Sequence, residues 1–254
     1  MVNSITVSGN QIPSEFSGFR IAQISDLHNA EFGEGNSHLL NSLSESKPDM
    51  IAITGDLVDA QYTNIDVALS FAEKAVQIAP VYYVTGNHEA SLSQYSELKT
   101  GLEAAGVIVL EDNAIQLEHN GGIVTLMGLS DPNFTIKSNI FDEVPAMIST
   151  KLNDLMENKV GYTILLSHRP ELFDTYVSCG VDLVLSGHAH GGQFRLPLIG
   201  GLVAPNQGFF PKYDAGLYTN GGTNMVVSRG LGNSIIPLRF NNRPEIVLVE
   251  LKAD

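Results

Sequence analysis

A chain of 254 residues is long enough for one large domain or two small ones, and 43% hydrophobic with 17% charged residues is the composition of a folded protein, not a disordered one. The formal net charge of −14 argues against a broad nucleic-acid contact surface, which needs clustered Lys and Arg. Cys179 is the only cysteine, so no intrachain disulfide is possible, and in its apolar run it reads as a small buried hydrophobe.

The first ten residues, MVNSITVSGN, lack the basic and apolar regions of a signal peptide, and no stretch reaches the roughly 20 apolar residues of a membrane-spanning helix. As given, the sequence reads as cytoplasmic; the alternative is the soluble part of a membrane-anchored or exported chain whose leader is missing. FRIAQISDLH (19–28) begins as a β-branched-rich strand and stops at polar residues. A helix follows, capped by Asn36 or Ser37, carrying Leu39, Leu40 and Leu43 and ending before Pro48. DMIAITGDLVD (49–59) repeats the strand pattern, and Asn64 caps a helix with Val67, Ala68, Phe71, Ala75 and Val76. VYYVTGNHE (81–89) is the third such strand, followed by a helix with Tyr95, Leu98, Leu102 and Ala105 and with Gly106 beyond its end.

GGIVTLMGL (121–129) is strand-like, and YTILLSHRP (162–170) is the fourth strand ending in polar residues. Pro170 opens a short helix through Leu172, Phe173 and Tyr176, and VDLVLSGHAHGG (181–192) is the fifth polar-ended strand. Residues 193–223, rich in Gly, Pro and aromatics, read as a long ordered loop or hairpin near the site. NMVVSRGL (224–231) and EIVLVEL (245–251) are strand-like, which points to a second, more antiparallel sheet packed on the first. Strand–helix–strand alternation indicates an α/β fold with parallel pairing in the first half, and no linker or repeat divides residues 1–254, so one domain is expected. In such sheets ligands collect beyond the carboxyl ends of the strands, where all five polar clusters fall.

Those clusters supply Asp26 and His28, Asp56, Asn87 with His88, His168, and His188 with His190. Carboxylate, imidazole and amide donors together suit divalent ions such as Mn, Fe or Zn. Phosphate esters are slow to hydrolyse because nucleophile and phosphate repel and the leaving alkoxide is poor, and two cations about 3.5–4 Å apart address both problems.

The motifs Asp26-Leu27-His28, Gly55-Asp56, Gly86-Asn87-His88-Glu89, the isolated His168 and Gly187-His188-Ala189-His190 resemble, in order, the signature of the calcineurin-like metallophosphoesterases. Gly191-Gly192-Gln193, Ser228-Arg229-Gly230 and Arg243-Pro244-Glu245 are similar to the bacterial branch that often carries a twin-arginine signal or membrane anchor. The resemblance implies two packed mixed sheets flanked by helices, a four-layer sandwich. It also implies two divalent ions, with Asp26, His28 and His190 on the first, Asn87, His168 and His188 on the second, and Asp56 bridging. His88 would protonate the leaving oxygen or hold the phosphate, so the catalytic residues are His88 and Asp56. The expected reaction is attack by a metal-held hydroxide on a phosphodiester, or alternatively a phosphomonoester or pyrophosphate, of a small or lipid-linked substrate, with no nucleic-acid partner. The competing reading is a non-catalytic metal-binding scaffold, against which the complete motif set speaks; the H-x-H-x-D-H run of a two-metal lactamase is absent.

Other polar residues admit two readings. Asp59 and Glu89 either orient an imidazole or start a helix, and Asp131, before Pro132, reads as a turn residue. His38 and His119 read as solvated surface residues. Arg169 and Arg229 suit a phosphate fork, with salt bridges in an acidic protein the preferred reading. Gly191 and Gly192 would let the backbone turn past the metals. Phe194, Leu196, Leu198, Ile199, Phe209 and Phe210 read as ordinary packing, the alternatives being a lid over a lipid-like group or a peripheral membrane contact.

Overall fold

The computed structural model describes residues 1–136, 143–197, 199–233 and 238–254. The first half runs β1 (Val2–Gly9), β2 (Arg20–Ile24), α1 (Ser37–Ser46), β3 (Met50–Thr54), α2 (Ile65–Ala75), β4 (Val81–Val84), α3 (Asn87–Ser91), α4 (Tyr95–Ala104) and β5 (Ile108–Val109). It continues with β6 (Asn113–His119), β7 (Gly122–Gly128), α5 (Glu143–Met156), β8 (Thr163–Leu166), α6 (Phe173–Ser178) and β9 (Leu183–Ser186). Two small hairpins follow, β10 (Arg195–Leu196) with β11 (Gly200–Gly201) and β12 (Val203–Ala204) with β13 (Gly208–Phe209), before β14 (Gly216–Asn220), β15 (Thr223–Val227) and β16 (Ile246–Ala253).

Two six-stranded mixed sheets result, in the orders β1, β16, β2, β3, β4, β5 and β14, β15, β9, β8, β7, β6. Their layering follows from strands that are apolar on both faces. In β3, Met50 and Ala52 face the core between the sheets, whereas Ile51 and Ile53 face Leu43, Phe71 and Leu98 of the outer helices. In β8, Ile164 and Leu166 enter the same central core, and Leu165 packs with Ile148 of α5 and Phe173 of α6. Each fully buried side chain of this size contributes about 1.5–3 kcal/mol of hydrophobic stabilisation. The architecture is the expected four-layer α/β sandwich. Buried Gln23 ties the sheets together near the site, donating to Thr54 Oγ1 at 3.1 Å and to the Ser186 carbonyl at 2.8 Å.

Several expectations are corrected. The second sheet is parallel across β15, β9, β8 and β7 and antiparallel only at its two edges. The 245–251 stretch lies in the first sheet, as β16 between β1 and β2, because its two apolar faces match the cores on both sides. Parallel pairing of β7 with β8 requires a crossover, and α5, a helix beyond those expected from the sequence, supplies it. His119 is half-buried against Phe16 and Phe19, with ring centroids 5.5 and 5.0 Å away, while His38 is exposed as expected. Cys179 is only partly buried. Asn36 precedes α1 but accepts a hydrogen bond from the Phe32 amide instead of capping the helix. Among the described residues no helix is long and apolar enough to cross a membrane.

Candidate active site

All five polar-ended strands, β2, β3, β4, β8 and β9, deliver their loops to one place where the carboxyl ends of the two sheets meet. The backbone there is unusual. Asp26, His28, Asp56, His188 and His190 all adopt left-handed φ values, between 47° and 65°. Non-glycine residues reach that region at a cost, and such strain persists where the surrounding structure fixes it, commonly at functional sites. Close approach explains Gly86, where a Cβ would overlap Asp56 Oδ1. Gly191 and Gly192 also turn with positive φ, 61° and 71°, and carry the chain away from His190.

The side chains gather in two buried groups whose potential ligand atoms lie within 4.8 Å of one another, Asp26–His28–His190 and Asp56–His168–His188. In the first, His190 Nε2 is 3.3 Å from Asp26 Oδ1 and 3.2 Å from His28 Nε2. In the second, His168 Nδ1 donates to the Thr54 carbonyl at 2.7 Å, which turns its Nε2 to Asp56 Oδ2 at 3.2 Å and to His188 Nδ1 at 3.1 Å. Asp56 Oδ2 also lies 3.7 Å from His28 Nε2, so one carboxylate oxygen reaches both groups. Asn87 Oδ1 is buried with no hydrogen-bond partner, which is the state of an amide oxygen shaped to ligate a cation. The donor chemistry and this orphaned acceptor fit divalent metal ions.

Electrostatics support the same fit. Burial pushes His28 down to about 4 and His190 down to about 3, with the Arg239 charge adding to the second. Burial, reinforced by Arg169, also holds His188 well below its ordinary value. These three imidazoles are therefore neutral near pH 7, the form that binds metal. Burial opposes the charge on His168 as well, but Asp56 outweighs it and raises His168 to about 10. Burial likewise works against the Asp56 carboxylate, yet His168 and His28 hold it well below the usual range, whereas burial leaves Asp26 raised. A buried carboxylate pair facing histidines is a site built for added positive charge.

His88 stands at the rim, its ring 4.4 Å from that of His28 and its side chain 18% exposed. Its Nδ1 accepts from the Ala60 amide at 3.0 Å, which leaves Nε2 as the protonated, donating nitrogen. Asp59 Oδ2 lies 3.9 Å from Nδ1 of both His28 and His88, and Oδ1 caps the Gln61 and Tyr62 amides. Glu89 does not orient an imidazole. Fully buried, it accepts from the amides of Asp56, Leu57, Val58 and Gly86 at 2.7–3.3 Å and so clamps the Asp56 loop; burial raises it to about 7.

Asp131 lies outside the two groups, accepting from the Asn133 amide and pairing with Arg169. Arg229 makes the expected salt bridge, 3.7 Å from Glu245. Three residues in or beyond the 193–223 loop were missed. Asn206 Nδ2 sits 3.1 Å from His188 Nε2, Arg239 Nη2 lies 3.4 Å from His190 Nδ1, and Asn242 donates to the His190 carbonyl at 2.7 Å. No local pattern marks them, because only the folded path of the loop brings them to the histidines. Packing does not account for the loop hydrophobics: Leu196, Ile199, Phe209 and Phe210 are exposed and Phe194 is half-buried, while Leu198 lies outside the described residues.

The sequence model of calcineurin-like phosphoesterases matches residues 19–192, the span from Phe19 to Gly192 that holds Asp26-Leu27-His28 through Gly187-His188-Ala189-His190. The uncharacterized metallophosphoesterase YkuE of Bacillus subtilis is 30% identical over 98% of this chain and 84% of its own length. Phosphodiesterase YaeI of Escherichia coli is 29% identical over 92% of this chain and 82% of its own. Among solved structures, the phosphopantetheinyl hydrolase PptH of Mycobacterium tuberculosis superposes with a TM-score of 0.53 at 15% identity, covering 84% of this chain and 89% of that one, a likeness of fold. The chain belongs to the calcineurin-like phosphoesterase family.

Proposed function

We propose that this protein is a dinuclear-metal phosphodiesterase acting on a small or lipid-linked substrate, with residues 1–254 as one catalytic domain. The observation that carries the reading is the position of Asp56, whose Oδ2 lies 3.2 Å from His168 in one donor group and 3.7 Å from His28 in the other. Asp26, His28 and His190 would hold one divalent ion, Asn87, His168 and His188 the other, and Asp56 would serve both; Mn, Fe and Zn all suit this donor set. When bound, such a pair supplies an activated water and offsets charge developing on the phosphate.

His88 contributes a hydrogen bond from Nε2 to the phosphate or the leaving oxygen. With Nδ1 occupied by the Ala60 amide, full proton transfer from Nε2 would leave an imidazolate, so a stabilising donor is the role this geometry favours. Arg169 and Asn206 hold His188 from outside and border a cavity of about 430 Å³, lined also by Pro132, Val144, Pro145 and Leu172, that would receive the rest of the substrate. One-domain behaviour is supported by β1 pairing directly with β16, which makes both ends of the chain part of one sheet. Preference for diesters is supported by the name of the Escherichia coli relative.

The test is turnover of bis-(p-nitrophenyl) phosphate against p-nitrophenyl phosphate with and without Mn²⁺. Manganese-dependent turnover favouring the diester is expected. No metal-dependent turnover of either would leave the scaffold reading.

A further inference from the structure

We propose that the exposed apolar strip bordering the site, formed by Leu196, Ile199, Phe209, Phe210, Leu238 and Phe240, docks the protein onto an anionic lipid bilayer. Seven of the twelve exposed large hydrophobic side chains among the described residues fall between Leu196 and Phe240, and Phe209 and Phe210 are 81% and 66% exposed. Single exposed hydrophobics are ordinary, but these are stitched together. Arg195 donates its amide to the Phe240 carbonyl at 3.0 Å, Leu202 to Phe194 at 2.8 Å, and Phe210 to Leu202 at 2.8 Å, so the two hairpins and the 238–240 segment form one backbone-bonded strip.

The strip is also fixed beside the site. Asn206, at the tip of the β12–β13 hairpin, touches His188 three residues before Phe209. Asn242, two residues after Phe240, binds the His190 carbonyl. Whatever covers these side chains therefore lies at the mouth of the site.

Charge selects the occupant. Of the chain's 14 basic and 28 acidic residues, segment 193–243 contains five of the first (Arg195, Lys212, Arg229, Arg239, Arg243) and only Asp214 of the second. Asp174 beside Lys212 and Glu245 beside Arg229 offset two of these charges, yet the strip still carries more basic than acidic groups, and on a protein of net charge −14 it is the face least repelled by an anionic surface, which sets the orientation. Exposed Lys212 and Arg243 flank exposed aromatics, the combination that holds a peripheral protein at a lipid interface. A symmetric contact with a second copy would instead press these basic strips together. Docking does not depend on the phosphodiesterase reading; its use, offering a headgroup phosphodiester to the adjoining site, rests on that reading.

The experiment is vesicle flotation of the intact protein with phosphatidylglycerol–phosphatidylcholine vesicles and with phosphatidylcholine alone, at low and high salt. Wild type is expected to float with the anionic vesicles, less so at high salt and far less with the neutral ones. Phe209→Ser/Phe210→Ser and Lys212→Glu/Arg243→Glu should each reduce the vesicle-bound fraction at least about tenfold while leaving the melting temperature unchanged. No flotation of wild type with anionic vesicles overturns the proposal, as does undiminished binding by both variants. A wild-type dimer in sedimentation velocity that Phe209→Ser/Phe210→Ser makes monomeric would also overturn it, assigning the strip to self-association. Binding is read without turnover, so an inactive enzyme leaves the result intact.

Discussion

Asp131 grips the Arg169 guanidinium through two hydrogen bonds, Nε to Oδ2 at 2.6 Å and Nη2 to Oδ1 at 2.9 Å, and so holds Nη1 3.0 Å from Nε2 of His188. Both partners are buried, and removing Asp131 leaves the interior Arg169 charge with only Glu171, 3.5 Å away, to offset it. Asp131→Ala should therefore destabilise the fold by about 3–5 kcal/mol and lower the melting temperature by roughly 10 °C. A loss below about 1 kcal/mol in denaturant unfolding would mean that the pair is solvated and does not position His188.

The Ala60 amide on Nδ1 of His88 leaves Nε2 as the nitrogen free to donate. His88→Ala should keep the full metal content and slow a phosphodiester with a poor leaving group by about 10²–10³-fold, the usual loss for one donor to a developing charge. Unchanged turnover removes His88 from the mechanism.

Glu89 gathers four backbone amides around the Asp56 loop. Glu89→Gln exchanges one acceptor oxygen for an NH₂ facing donors, at a cost of about 1–3 kcal/mol. Because the clamp sets the position of Asp56, affinity for Mn²⁺ should fall with stability. Calorimetry showing weaker folding with unaltered metal affinity would separate the clamp from the site.

Five strands, the four helices expected after them and the gathering of the eight candidate site residues at the strand ends were legible in the sequence, because each candidate follows an apolar run by a few residues and carries a donor side chain. Two kinds of feature were not. Partners of β16 depend on which core its apolar faces meet, and Leu248 and Val249 look the same locally whichever sheet receives them. Asn206 and Asn242 reach His188 and His190 only through the tertiary path of a Gly- and Pro-rich loop. Glu89 was visible but its task was not, since a helix-start carboxylate does not announce that it will fold back on four amides.

The pH dependence of the metal-free protein has two limbs. Unfolded histidines take up a proton below about 6.5, whereas burial holds His28 at about 4 and His190 at about 3 in the fold. Their contribution is present above about pH 6.5 and is lost as pH falls through that window, because the unfolded chain then binds more protons. His168, raised to about 10, has the opposite sign: its contribution is present below about 6.5 and is lost as pH rises toward about 10. Melting temperatures of the metal-free protein should decline on both sides of about pH 6.5, and Mn²⁺ should bind more tightly as pH rises toward about 10, because it must displace the His168 proton. His190→Gln should flatten the acid limb; an identical limb in the variant would contradict the assignment.

Asp56 standing between two donor groups is the centre of the account, and the direct test is the number of ions bound. Calorimetric titration of the chelated protein with Mn²⁺ at neutral pH should give two ions per chain, and Asp56→Asn should lose at least one of them together with activity. A single ion or none in the wild type, or two ions at unchanged affinity in Asp56→Asn, would contradict it.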